Sequence, residues 1–184
     1  MVRLDKIYTR GGDKGDTSLG DGKRVKKNSL RVDVYGEVDE ANAAIGVAII
    51  YCSPKIKNVL QKVQNDLFDL GADLCFPDSN QKKSLKVTQN HVEDLENKID
   101  EINELLNPLN SFILPGGEKS SAFLHHCRCI VRRAERKLVT LSEKEHINNM
   151  VFQYFNRLSD FLFVAARFEN KKKGDILWVP GKNI

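Results

Sequence analysis

The chain has 184 residues, 41% of them hydrophobic, 29% charged and 8% aromatic, with a formal net charge of +4. That mixture can build a core, which excludes global disorder and low-complexity fibre, and the length suits one ordinary domain. The charge is unevenly placed (+4 over residues 1–36, −6 over 37–127, +6 over 128–184), a pattern that suits an anionic small molecule better than nucleic acid or a membrane surface.

Residues 1–36 read as an ordered loop. Five of the twelve glycines fall within positions 11–22, a density that disfavours both helix and strand. The opening residues show no apolar leader segment, and Cys52, Cys75, Cys127 and Cys129 are too sparse for a disulfide scaffold, so a reduced, cytoplasmic protein is expected. No apolar run approaches the roughly 20 residues of a membrane span. A first helix is expected over Glu37–Cys52, with acids at its positive end. Pro54 suits the first position of a second helix, and Ile56, Leu60, Val63, Leu67, Leu70 and Leu74 keep helical spacing to about Phe76. Residues 77–88 form a polar connector. Asn90 with Glu93 reads as a capping box for a third helix, whose seam is Val92, Leu95, Ile99, Ile102 and Leu106. Pro108 and Pro115-Gly116-Gly117 bracket the apolar run Phe112-Ile113-Leu114. A fourth helix is expected from about Ser120 to Leu141, a fifth from about Asn148 to Asn170, and then a short tail through Gly181. No segment alternates with period two. The expected fold is all-α: one domain made of a Gly-rich loop segment (1–36), a five-helix bundle (37–170) and a tail (171–184).

The fourth helix concentrates arginine. Arg128, Arg132, Arg133 and Arg136 are four of the ten arginines, in a chain with nineteen lysines. Positions 128, 132 and 136 stack at i, i+4 steps, and Glu135 joins them. The stripe is either a solvated face with Glu135 as its ion-pair partner, or a grip for phosphate, which arginine's planar fork holds bidentately. Thr9-Arg-Gly-Gly-Asp-Lys-Gly-Asp-Thr-Ser18 adds backbone N–H groups, hydroxyls and the nearby cations Lys14, Lys26 and Lys27. It fits neither the P-loop nor the dinucleotide fingerprint. Asp13 and Asp16 are placed either to approach a phosphate-bound Mg2+ or to cap turns. The aromatics of the fifth helix sit mainly at core spacing, whereas Asn156, Asp160, Phe163 and Arg167 share another stripe, where polar groups must be paired or face a site. His125 and Cys129 stand at i, i+4 without a second ligand pair at zinc spacing, so buried helix residues are favoured over a metal.

Several of these segments resemble, in order, the motifs of PduO-type ATP:cob(I)alamin adenosyltransferases. They are Tyr8-Thr-Arg-Gly-Gly-Asp-Lys-Gly15 with Thr17-Ser18, Arg24-Val-Lys-Lys27, Tyr35-Gly-Glu-Val-Asp-Glu40, Phe112-Ile-Leu-Pro-Gly-Gly117, Arg132-Arg-Ala-Glu-Arg136, Asn156-Arg-Leu-Ser-Asp160 and Leu177-Trp-Val-Pro-Gly181. The resemblance implies a homotrimer with sites between subunits. Its reaction moves the 5′-deoxyadenosyl group of ATP to cob(I)alamin, with Mg2+ accompanying ATP. By the same resemblance, Thr9, Arg10, Gly11, Gly12, Thr17 and Lys27 belong to the ATP loop, and Arg132, Arg133, Glu135, Arg136 and Asn156 are ATP contacts from helices. Asp39 and Arg128 are an intersubunit pair, Phe112 displaces the corrinoid's lower ligand, and Phe163 lies on the same wall. A cobalamin reductase and a mutase acceptor are implied as partners. Arg10-Gly11 replaces the commoner Lys-Thr or Lys-Asn of the family, leaving position 11 without a side chain. The competing expectation is a non-catalytic nucleotide- or cobalamin-binding sensor or delivery protein. A nucleic-acid binder would need stacking aromatics along a basic track.

Overall fold

Val34, Val38, Ala41, Ile45 and Ala48 recur every three or four residues and are all buried. This stripe draws the first helix, α1 (Leu30–Ile49), back across Gly36, seven residues before the expected start at Glu37. An exposed helical glycine costs about 1 kcal/mol relative to alanine, less than burying Val34 returns. The computed structural model describes residues 7–77 and 85–183. The expectations for residues 1–6 and for most of the polar connector therefore lie outside the described residues.

The other helices are α2 (Pro54–Cys75), α3 (Gln89–Asn103), α4 (Lys119–Ser142) and α5 (Asn149–Glu169). In space they follow the order α2, α1, α4, α5, α3, with α4 and α5 the most closely packed pair. The α5 side chains Tyr154, Phe155, Leu158, Phe161 and Leu162 are fully buried and fill the centre. Tyr154 keeps its polar tip satisfied by donating to Asp66 Oδ2 of α2 at 2.9 Å. The cap of α3 differs from the expected Asn90–Glu93 box: Thr88 precedes the helix, and its N–H donates to His91 Nδ1 at 3.1 Å.

The Gly-rich segment is also more ordered than a loop. Strands β1 (Asp16–Ser18) and β2 (Arg24–Lys26) pair antiparallel, with Thr17 opposite Val25. The glycines that argued against a strand sit at its margins, where Gly15 and Gly22 take positive φ. The hairpin docks on the end of α2, where the Gly20 N–H donates to the Cys75 carbonyl at 2.9 Å.

The same end of the bundle is clamped by Arg31, which is 5% exposed. Its Nη1 donates to the Leu74 carbonyl at 2.6 Å, and Nε and Nη2 donate to Glu145 Oε2 at 2.8 and 2.6 Å. One side chain thus ties the start of α1 to the end of α2 and to the α4–α5 turn. Glu145 stays partly solvated, so the cost of removing Arg31 falls mainly on the buried Leu74 carbonyl. Arg31→Ala is expected to lower stability by about 1–3 kcal/mol, read from the denaturant midpoint. A shift within error would contradict the clamp.

Candidate active site

The orientation of α4 is set by its contacts with α1. Arg133 Nε donates to Glu37 Oε2 at 2.6 Å, and Nη2 donates to Glu40. Lys137 Nζ reaches Asp33 Oδ1 and Glu37 Oε1, both at 2.7 Å. Glu37 is 9% exposed, and the two cations hold its carboxyl below its ordinary value against the opposing effect of burial. Residues 133 and 137 lie one turn apart, so with both facing α1, Arg132 and Arg136 of the stripe point about 100° to one side and Arg128 and Glu135 turn further round, away from α1.

That stripe is differently served. Arg132 and Arg136 are exposed, and among the described residues neither guanidinium has a carboxylate partner. Arg136 Nη1 donates only to the Arg132 carbonyl, at 3.3 Å. Glu135 is occupied by α5, accepting from Asn156 Nδ2 at 3.3 Å, while Asn156 Oδ1 accepts from Arg157 Nη1 at 2.6 Å. The expected set of four arginines therefore divides. Arg133 is neutralised inside the chain, its guanidinium held more firmly protonated by its two carboxylates, and Arg132 and Arg136 keep their charge available.

The loop gathers a second group. Arg24 Nη2 donates to the Gly11 carbonyl at 2.6 Å and Nη1 to Ser18 Oγ at 3.2 Å, pinning the turn that holds Thr9, Arg10 and Gly12. Arg10 takes φ +60° with its guanidinium over the Tyr8 ring. A Cβ on Gly12 would lie 3.0 Å from Lys27 Nζ, so a side chain there would push that ammonium off the loop backbone by a few tenths of an ångström. Asp16 is engaged by Lys26 at 2.8 Å. Among the described residues no ion pair joins the loop group to Arg132, Arg136 or Asn156. Asp39 and Arg128 are likewise not paired with each other within the chain. Asp39 is exposed, and Arg128 Nε is buried with no hydrogen-bond partner.

The third part is apolar. Phe112 is 78% exposed. Its strand pairs with the tail: the Trp178 N–H donates to the Phe112 carbonyl at 2.7 Å, and the Leu114 N–H donates to the Ile176 carbonyl at 2.8 Å. Phe163 is half-buried, edge-on to His125 at 6.1 Å between ring centroids. Phe163, Arg167 and Asn170 stand at i, i+4 and i+7 on one face of α5. Arg167 holds Asp175 through Nε at 2.9 Å, and Asn170 Nδ2 donates to the Gly116 carbonyl at 3.0 Å. Both strands of the Phe112 ribbon thus start from the face that carries Phe163. Arg167 settles the question of its polar stripe: it is 7% exposed, paired, and holds the tail. Sequence reading missed this ribbon, because its apolar residues occur in two short pieces some sixty residues apart.

Bundle, arginine stripe and glycine-rich loop define a class: a helical scaffold that presents unneutralised cations to a polyanion beside an exposed aromatic wall. A family model described as cobalamin adenosyltransferase matches residues 7–169. The chain is 45% identical to a corrinoid adenosyltransferase of Mycobacterium leprae (strain TN), over 98% of each chain. It is 44% identical to a corrinoid adenosyltransferase of Bacillus subtilis (strain 168), over 92% of this chain and 89% of that one. A solved structure of a variant PduO-type ATP:corrinoid adenosyltransferase from Lactobacillus reuteri, complexed with cobalamin and ATP, matches with TM-score 0.90 and 38% identity. That match covers 97% of this chain and 100% of that one. The chain belongs to the cobalamin adenosyltransferase family.

His125 yields a pH test of this region. It is 2% exposed and neither ring nitrogen has a partner. Burial first, and then the Arg128 cation, push its pKa below the ordinary 6.5, against an opposing pull from Asp175. As pH falls below 6.5 the unfolded chain takes up a proton that the native imidazole resists, so stability drops toward the lowered native value. His125→Leu is expected to reduce the fall in denaturant midpoint between pH 7.5 and 5.5. An unchanged slope would show that His125 contributes none of it.

Proposed function

We propose that the chain transfers the 5′-deoxyadenosyl group of ATP to cob(I)alamin, forming adenosylcobalamin and releasing triphosphate. The observation that carries this reading is the division of charge on α4, where Arg133 and Lys137 are consumed by α1 while Arg132 and Arg136 stay free for an anion. In this reading Arg132, Arg136 and Lys27 hold the triphosphate, with the loop backbone at Gly11 and Gly12 and the hydroxyls of Thr9 and Thr17 closing around it. Arg10 adds charge at the loop's edge. Glu135 and Asn156, already hydrogen-bonded, orient the nucleoside, and Arg133 supports the stripe through its pairing with α1.

The chemistry asks little else of the protein. Cobalt(I) supplies an electron pair to C5′, the C5′–O bond breaks, and that bonding pair leaves with the triphosphate. Arginines placed where charge grows on the leaving group stabilise that step, and fixed positioning supplies the in-line approach. No proton is moved, so no general acid or base is required. Phe112 fills the space of the corrinoid's lower ligand, and Phe163 continues the apolar wall.

ATP enters as its Mg2+ complex. Asp16 is committed to Lys26, and among the described residues no three His, Cys, Asp or Glu side chains cluster to hold a metal. The ion would neutralise charge on the phosphates, and exposed Asp13 is the loop carboxylate that would approach it.

The site completes between subunits of a homotrimer. Three observations support this assembly: exposed Asp39, the partnerless buried Nε of Arg128, and the lack, among the described residues, of any ion pair between the loop and the stripe. Asp39 of one copy and Arg128 of the next form the linking pair. The enzyme acts in the cytoplasm, consistent with its free thiols at Cys52, Cys75, Cys127 and Cys129. No helix of the described residues is long and apolar enough to cross a membrane. A cobalamin reductase supplies the reduced corrinoid and a mutase receives the product.

Incubating reduced cobalamin with Mg-ATP tests the reaction, read from the corrinoid spectrum and stoichiometric triphosphate. Tight binding of both without triphosphate release would instead mark a carrier. Arg132→Ala is expected to lower kcat/KM for ATP by about a hundredfold. Phe112→Ala is expected to preserve ATP affinity while cutting turnover, and equal losses of ATP affinity in both variants would contradict that division of labour.

A further inference from the structure

An exposed phenylalanine on a connector is a poor tool for displacing a ligand. Its side chain has free rotamers, and ordering them on binding costs free energy. Phe112 is 78% exposed, yet residues around it are held from one direction by a single partner. Trp178 meets the 111–112 segment at three points. Its N–H donates to the Phe112 carbonyl at 2.7 Å, its carbonyl accepts from Ser111 Oγ at 2.9 Å, and its indole lies 6.1 Å from the Phe112 ring at 59°. Ile113 stands opposite Leu177 in the same antiparallel bridge, so Phe112 and Trp178 are cross-strand neighbours on one face of the ribbon.

The ribbon itself is anchored. Asp175, which starts the tail strand, accepts from Arg167 Nε at 2.9 Å, and Arg167 Nη2 donates to the Asn107 carbonyl at 2.7 Å. Asn170 accepts from the Glu118 N–H at 2.9 Å and donates to Gly116 and Asp175, binding both strands at their roots. A Cβ on Gly117 would run into the Asn170 carboxamide, so the approach is too close for any side chain there. Trp178 is nevertheless 44% exposed, in a patch with Phe112, Leu114, Ile176 and Val179. Core packing does not explain a half-exposed tryptophan at the free end of an anchored ribbon.

We propose that Trp178 is a positioning residue for corrinoid activation: it holds the Phe112 ring in the orientation that excludes the lower axial ligand. The inference rests on the corrinoid reading of Phe112 given above. It assigns the C-terminal tail a part in the reaction through an aromatic contact made within the same chain. Trp178→Ala keeps the backbone bonds of the ribbon and removes only the indole. Trp178→Phe restores an aromatic ring at the same point.

The test compares two corrinoids with the full chain and Mg-ATP: cob(II)alamin, whose lower ligand is a tethered base, and cob(II)inamide, which lacks that base. Excluding the base demands more of Phe112 than excluding a weakly held water. Under a fixed reductant, the ratio of adenosylation rates, cobalamin over cobinamide, is expected to fall at least tenfold in Trp178→Ala. It is expected to return to within threefold of wild type in Trp178→Phe. The electron paramagnetic resonance signal of four-coordinate cobalt(II) in the cobalamin complex should fall and recover in parallel. Rates that drop equally for both corrinoids, with an unchanged ratio, would reduce Trp178 to a structural role and overturn the proposal. A ratio and rates both at wild-type values would overturn it as well. If the wild-type chain adenosylates neither corrinoid, the functional reading fails first and the inference falls with it.

Discussion

Glu37 is the residue on which the site's geometry turns. Nearly buried on α1, it is desolvated and must be paired, and it draws Arg133 and Lys137 of α4 onto itself. Two cations one helical turn apart leave α4 a single rotation about its axis. In that rotation Arg128, Arg132 and Arg136 cannot also face α1, and Glu135 is turned toward Asn156 on α5. One carboxylate therefore sorts the arginines into those that hold the bundle and those that remain charged at its surface. Repulsion along the stripe would oppose so dense an array. The acids of α1 offset it from the side and leave the outward face unneutralised.

The chemistry assigned to the molecule needs two unlike surfaces: a cationic one for a triphosphate and an apolar one for a corrin face. The fold grows them from different elements. The cationic surface comes from α4 and from the hairpin docked on α2. The apolar one comes from α5 and from a ribbon of two chain segments tied to its end by Arg167 and Asn170. Because α4 and α5 are the most closely packed helices of the bundle, the two surfaces are held in fixed relation. His125 is packed on Phe163 and beside Arg128, and burial, then that cation, push its imidazole below its ordinary value.

Much of the fold was legible because helices announce themselves locally. The apolar spacing of α2, α4 and α5 placed their ends within a residue or two, since each buries one face and a 3.6-residue period is written along the chain. Where a local rule competed with packing, packing won. The loop was expected to run to residue 36, yet burying Val34 favours helix there, so α1 begins at Leu30 and runs through Gly36. The glycines at 11–22 argued against strands, yet those at the hairpin's margins supply positive φ and leave three residues free to pair. Asn90 with Glu93 satisfied a capping pattern, but Thr88 and His91 were the pair placed at the helix start.

The amino-acid sequence by itself determined the helical class, the presence of an arginine stripe, and the motifs that tie the chain to its family. These are properties of residue type and short-range spacing. Only the tertiary structure decided which arginines stay free, because that depends on Glu37 and Glu40, more than ninety residues away in the chain. It alone showed that Phe112 and Trp178 meet, since a two-stranded contact between segments sixty-six residues apart leaves no period to read. Charge neutralisation and cross-strand pairing are relations between distant residues, and distance in space is what folding adds to sequence.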